Sequence, residues 1–157
     1  MSEPIEFGSN KASEAEIAEH LSHCDADFVP PLSGRVEING YARKIASKAT
    51  RFEAWSGGKL AGLVTSYCND QETLIAHITS VSVLKVCMRK RIATKLMKQC
   101  IEHAEMSGMR QISLEVASTN APAIGLYEKN GFVAGQVNAP FVTMNLYLNT
   151  NARLKIT

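Results

Sequence analysis

The densest chemistry in this chain lies in the hexapeptide Met88-Arg89-Lys90-Arg91-Ile92-Ala93. Three consecutive cations stand where an apolar run gives way to a helical pattern. A helix start carries unpaired N–H groups and the positive end of the macrodipole, so cations there suit an anion, phosphate above all. A solvated basic turn is the competing reading of the same residues. Asn120 precedes Ala121-Pro122, the chemistry of a helix start with Asn at the cap and Pro in the first turn. The run His20-Leu21-Ser22-His23-Cys24 holds potential metal ligands. It lacks a second half-site at zinc spacing and is expected at a surface helix end, so no metal is expected. The four cysteines, Cys24, Cys68, Cys87 and Cys100, show no paired spacing and are expected to be reduced.

These groups need a scaffold, and the bulk numbers bound it. A chain of 157 residues suits one domain spanning 1–157. With 45% hydrophobic and 20% charged residues it falls outside the disordered class. A net charge of +2 is too small to mark a nucleic-acid partner. No apolar run approaches the roughly 20 residues of a membrane span. The first ten residues are polar and acidic, unlike a signal peptide, and a cytoplasmic location is the resulting expectation.

The elements follow from periodicity. Residues 78–86 are apolar and β-branched and read as a strand. Ile92, Leu96, Met97, Cys100, Ile101 and Ala104 then recur at helical spacing, so a helix over 91–107 is expected, stopping at Gly108. A first helix is expected over 12–23, where Ser13 and Glu16 form a capping box. Prolines 30 and 31 make 28–34 a loop, and a second helix follows over 39–48. Runs 51–55 and 60–68 read as a hairpin across Ser56-Gly57-Gly58-Lys59. A third strand is expected over 74–86, then strand 111–116, helix 120–129, strands 132–137 and 141–148, and a frayed tail over 149–157. This order predicts an α/β (α+β) fold, a mixed sheet with helices on both faces. Strands 74–86 and 111–116 should pair in parallel through a right-handed crossover.

Three segments carry a family resemblance over residues 3–148. Val83-Leu-Lys-Val-Cys-Met-Arg-Lys-Arg-Ile-Ala93 resembles the V-x-x-x-x-[QR]-x-x-G-x-[GA] loop of the GNAT superfamily of N-acyltransferases. Ser118-Thr-Asn120-Ala-Pro-Ala123 resembles the start of that family's next helix, and Leu126-Tyr127-Glu-Lys-Asn-Gly131-Phe132 its L-Y-x-x-x-G-F signature. Two positions depart from the pattern: Met88 replaces the usual Gln or Arg, and Arg91 the usual central Gly, a residue that does not take φ > 0 comfortably.

The resemblance implies a GNAT-like, mostly antiparallel central sheet and transfer of an acetyl group from acetyl-CoA to a primary amine. It places the pyrophosphate on Met88, Arg89, Lys90, Arg91, Ile92, Ala93 and Thr94. It places the thioester against backbone near Val81 and Val83, and the pantetheine arm on Asn120 and Ala123. Tyr127 matches the group that protonates the leaving thiolate, although a tyrosine in an amphipathic helix is often a core aromatic with its hydroxyl at the rim. His77 is the leading candidate base, because an imidazole titrates near neutral pH and alternation would put His77 and Val83 on one face. Glu115 and Asp70 are weaker candidates, and a satisfied strand histidine is the plain reading of His77. The acceptor is expected across the loop 28–35, the second helix and the turn after Tyr67, with Ser33, Arg35, Tyr41, Lys44 and Asn69 as candidates to orient it. An amino sugar or another small amine is expected, and peptides and protein amino termini stay open. A homodimer is allowed. A non-catalytic acyl-CoA-binding protein is the main alternative.

Overall fold

The computed structural model describes residues 4–148. In chain order the elements are β1 (Ile5–Ser9), α1 (Glu14–Cys24), α2 (Ile38–Lys48), β2 (Thr50–Ser56), β3 (Lys59–Tyr67), β4 (Ile75–Val83), α3 (Ile92–Met106), β5 (Gln111–Ala117), α4 (Ala121–Lys129), β6 (Val133–Asn138) and β7 (Phe141–Tyr147). Local chemistry sets most of these boundaries. Ser13 and Glu16 close the expected capping box on α1, and Gly57 and Gly58, both at positive φ, turn the β2–β3 hairpin.

Three expectations are corrected. Residues 5–9 form an edge strand, β1, paired antiparallel with β2, where no element was expected. The third strand stops at Val83, and Lys85–Lys90 forms a 3-10 turn before α3. His20 and Cys24 are buried at 2% and 1% exposure, not placed at a surface helix end, because α1 turns them onto the sheet. The tail 149–157 lies outside the described residues.

The seven strands lie in the order β1-β2-β3-β4-β5-β7-β6. All neighbours are antiparallel except β4 and β5, which run parallel. Helices cover both faces. Ile17, Leu21 and Ile45 of α1 and α2 pack with Leu60 and Leu63 on one side. On the other, Ile92, Leu96, Met97 and Cys100 of α3 and Tyr127 of α4 pack with Val64, Ile112 and Met144. Gly62 allows α3 to sit close to β3: a Cβ there would lie 2.6 Å from Ile92 Cγ2.

Two features of β4 shape the functional region. Its pairing with β5 covers only Ile75↔Gln111, Ala76↔Ile112 and His77↔Ser113. Beyond that point the two strands part. On the β3 side the register slips by one residue, since Thr65 pairs with Ser80 but Ser66 pairs with Ile78. Thr79 is therefore the extra residue of a β-bulge.

Candidate active site

Where β5 leaves β4, the sheet opens into a cleft. The larger of two adjoining cavities, about 650 Å³, is lined by Val81, Ser82 and Val83 of β4, by Lys85, Met88 and Ala93 at the approach to α3, and by Asn120, Pro122, Ala123, Leu126 and Tyr127 of α4. The smaller, about 200 Å³, lies between β4 and β5 and is walled by Leu32, Arg35, Val36 and Tyr41 from the α1–α2 segment. Asp27, Phe28, Val29, Val81, Asn120, Ala123 and Tyr127 line both, so the two spaces meet at the tyrosine.

The free edge of β4 offers donors to this junction. Leu84 N–H donates to the Ala61 carbonyl at 2.8 Å, which marks a hydrogen-bonded pair. In an antiparallel ladder such pairs alternate. Leu63–Ser82 is then bonded, whereas Val83 (opposite Gly62) and Val81 (opposite Val64) turn their N–H and C=O groups away from β3. They face the side from which β5 has departed.

At the mouth of α3, Arg91 adopts the left-handed conformation, φ 56° and ψ 29°, and among the described residues no side chain caps the helix. The glycine-like geometry thus persists with an arginine in place. Ile92 contributes only backbone, since its side chain is buried in the core at 1% exposure. Arg91 and Thr94 do not line the larger cavity. Arg89 and Lys90 give backbone to the 3-10 turn, and their side chains lie outside the described residues. Asn120 caps α4, its Oδ1 accepting the Ala123 N–H at 3.4 Å.

The smaller cavity gathers Arg35 and Tyr41, but not Ser33, Asn69, Asp70, Lys44 or His77. Ser33 N–H donates to Asp25 Oδ1 at 2.7 Å and holds a turn. Asp70 Oδ1 accepts the Glu72 and Thr73 N–H groups, both at 3.0 Å, which makes it the hinge of its own turn. Asn69 and Lys44 are exposed. The placement of His77 on the Val83 face is corrected. The bulge at Thr79 reverses the alternation, so His77 pairs with Tyr67, which packs with the α1–α2 core, while Val83 packs with the α3 core. Glu115, a weaker candidate in the sequence, lines the smaller cavity from β5. The loop 28–35, where the acceptor is expected, brings Phe28 and Val29 to the junction, and the sequence reading missed Asp27 beside them. Its available signal was an apolar pair held against two prolines.

Burial tunes the polar groups. Tyr127 is 7% exposed, tilts against Phe132 with ring centroids 6.0 Å apart, and has its phenol pushed up to about 12 by desolvation. It therefore stays a proton donor across the neutral range. Desolvation also raises Tyr41 and pushes the Cys24 thiol up to about 11. His20 is held below its ordinary value by burial; its ring bridges the Leu60 carbonyl and Ser82 Oγ, each at 2.8 Å. A neutral ring with the proton on Nδ1 satisfies both contacts, Nε2 accepting from Ser82. Among the described residues no group of three or more His, Cys, Asp or Glu could hold a metal, and no helix is long and apolar enough to cross a membrane.

The site is thus an open junction between a parting β4 and β5, with the mouth of α3 on one side and a buried phenol at its centre. The chain belongs to the acetyltransferase (GNAT) family, whose profile matches residues 15–132. It is 31% identical over 118 residues, 74% of this chain and 75% of the relative, to the uncharacterized N-acetyltransferase YsnE of Bacillus subtilis (strain 168). It is 28% identical over 114 residues, 72% of this chain and 71% of the relative, to the [ribosomal protein bS18]-alanine N-acetyltransferase of Escherichia coli (strain K12). The solved structure of the latter enzyme from Escherichia coli superposes with a TM-score of 0.73 at 19% identity, covering 93% of this chain and 95% of that one. YncA from Salmonella typhimurium, solved with its cofactor acetyl-CoA, gives a TM-score of 0.71 at 18% identity, covering 95% of each chain.

Proposed function

We propose that this N-acetyltransferase moves an acetyl group from acetyl-CoA to the α-amine of an acceptor with an apolar or peptide-like carrier. The observation that carries the reading is the meeting of the two cavities at Tyr127 and Val81. The larger space fits the donor. Its walls are mostly apolar, as a pantetheine arm requires, and it leads to the uncapped mouth of α3, where N–H groups and three cations suit a pyrophosphate. The donor supplies an activated acyl carbon. The N–H of Val81 or Val83 polarises the thioester carbonyl, and Asn120 keeps its Nδ2 donors for the arm.

Transfer needs two proton movements. The acceptor nitrogen bonds to the acyl carbon as the carbon–sulfur bond breaks. Tyr127 donates a proton to the departing thiolate, and Glu115 takes one from the amine, directly or through water. An α-amine, near pKa 7.7–8.0, loses its proton more readily than a lysine near 10.4. Glu115 replaces His77 in this role because it lines the acceptor space and His77 does not.

The acceptor class rests on the walls of that space. Its polar side chains, Asp27, Arg35, Thr79, Ser80 and Glu115 among them, stand beside Phe28, Val29, Leu32, Val36, Leu114, Val116 and Phe141. A peptide amino terminus presents an apolar side chain to the second set and polar backbone groups to the first, whereas an amino sugar has little apolar surface for those walls. This favours a peptide amino terminus over the amino sugar suggested by the sequence, and the bacterial relative that acts on an alanine of a ribosomal protein lends weight to it. One feature favours a second reading, an acyl-CoA binder without turnover: Met88 and Arg91 occupy positions where the family pattern has other residues. Thiol release should be followed over short peptides, amino sugars, polyamines and free amino acids. Fastest release with a peptide is the expected result. Fastest release with an amino sugar overturns the acceptor class, and acetyl-CoA binding with no release from any amine supports the second reading.

A further inference from the structure

We propose that Tyr41 is a positioning residue that pins the β4 bulge, and through it the free N–H groups of Val81 and Val83, instead of a group that binds the acceptor. This rests on the transfer reading above for its consequence, though not for its geometry. At His77, β4 is held on both edges, by Tyr67 of β3 and Ser113 of β5. Past His77 only β3 remains, and there the ladder is broken by the extra residue Thr79. No backbone pairing in the sheet fixes the peptide plane of a bulged residue whose second neighbour has gone.

Two contacts from elsewhere do. The Tyr41 hydroxyl, reaching across from α2, donates to the Thr79 carbonyl at 3.0 Å. The Thr79 hydroxyl meets the Thr65 hydroxyl of β3 at 2.8 Å. A phenol has one proton, and Tyr41 spends it on this carbonyl, so it has none left to donate to an acceptor. The bulge also has an internal cost. Ser80, next along, is 5% exposed and its hydroxyl has no hydrogen-bond partner among the described residues. An alternative path for residues 79–80 that satisfied Ser80 would compete with the observed one. The Tyr41 bond holds that alternative off. Val81 follows immediately, so a turn of the 79–80 plane displaces the N–H that faces the thioester.

Tyr41→Phe keeps the ring and deletes only the pin. In the full-length chain, kcat for thiol release should fall about 10-fold or more, in keeping with the sensitivity of transfer to small misplacements. KM for the acceptor and the Kd for CoA should stay within about twofold. Hydrogen exchange at the amides of residues 78–83 should quicken several-fold while β2 and β7 stay unchanged. Thr65→Val loosens the same residue, so the double variant should lose less than the product of the two single losses. A rise in acceptor KM with unaltered kcat and exchange would make Tyr41 an acceptor ligand and overturn the proposal, as would no change in either. If the wild-type chain releases no thiol with any amine, the transfer reading fails, and the exchange measurement still decides the pin.

Discussion

The helices of this protein open in two ways. α1 closes its first turn with the Ser13–Glu16 capping box. In α2, Glu37 accepts the Asn39 and Gly40 N–H groups, and in α4 Asn120 accepts from Ala123. α3 opens on Arg91 in the left-handed conformation, with no side-chain cap among the described residues. A helix that caps itself satisfies donors that would otherwise seek water or a ligand. One that does not gives up roughly 1 kcal/mol of cap stabilisation and keeps its donors free. The contrast separates helices built for stability from one whose mouth is available to an anion, and it lies beside the larger cavity.

The strongest way to break this comparison is to close the open mouth with charge. Ala93→Asp puts a carboxylate in the first turn of α3, on the wall of the larger cavity. An acid there favours the helix by roughly 0.3–1 kcal/mol, so the fold should hold or gain slightly. CoA affinity should drop at least about 100-fold, near 3 kcal/mol, by calorimetric titration. Unchanged affinity would mean that the pyrophosphate is held elsewhere. Ser13→Ala is the matched control, expected to cost about 1 kcal/mol of stability and to leave CoA binding as it was.

Next in size is a pH effect centred on α4, whose mouth is closed and whose body carries Tyr127. Burial raises this phenol from 10.0 to about 12. The folded state therefore keeps a proton that the unfolded chain loses. The associated stability is complete below pH 10 and disappears as pH rises toward 12, up to about 3 kcal/mol for two units. Cys24, raised from 9.0 to about 11, acts in the same direction from pH 9 upward. Urea midpoints should fall between pH 9 and 11, and Tyr127→Phe should flatten the upper part of that fall. The rate should show no Tyr127 limb between pH 7 and 9; an alkaline limb that Tyr127→Phe abolishes would show that burial does not protect the proton.

What could be read from the sequence divides along the same line as the helix mouths. Ser13 with Glu16, Asn120 with Pro122, and Gly57-Gly58 each act through neighbours a few residues away, so their consequences were visible in the string. Residues that act over distance were not. β1 has only five residues, its alternation is interrupted by Gly8, and its partner β2 lies more than forty positions on. The bulge at Thr79 carries no glycine or proline signal. It exists because of how β4 meets β3 and Tyr41, and it alone moves His77 to the other face. Of the candidate site, Val81, Asn120, Ala123 and Tyr127 came from the family pattern and do line the cleft. Asp27 had no pattern to announce it, since a loop's wall is chosen by the fold around it.

Smaller effects sharpen the contrast between cap and ligand. Asn120→Asp keeps an acceptor for Ala123 N–H but removes the amide donor. Stability should stay within about 0.5 kcal/mol of wild type, while CoA affinity falls a few-fold. Asn120→Ala should lose both, about 1 kcal/mol of it in stability. Equal CoA affinity in the Asp variant would leave Asn120 as a cap and nothing more.

Arg91→Gly tests the open mouth most finely, because its two effects should have opposite signs. The left-handed conformation at φ 56° costs a non-glycine residue roughly 1–2 kcal/mol. Glycine removes that cost but loses more chain entropy on folding, about 0.5–1 kcal/mol, so the net gain should be about 0.5–1 kcal/mol in urea unfolding. The arginine is exposed and makes no ion pair among the described residues. Its charge stands at the entrance where phosphate would dock, and an exposed contact of this kind is worth about 0.2–1 kcal/mol. CoA binding should therefore weaken about threefold as the fold strengthens. A variant that is more stable and also binds more tightly would show that the guanidinium obstructs the mouth, and that the departure from glycine is a loss at both levels.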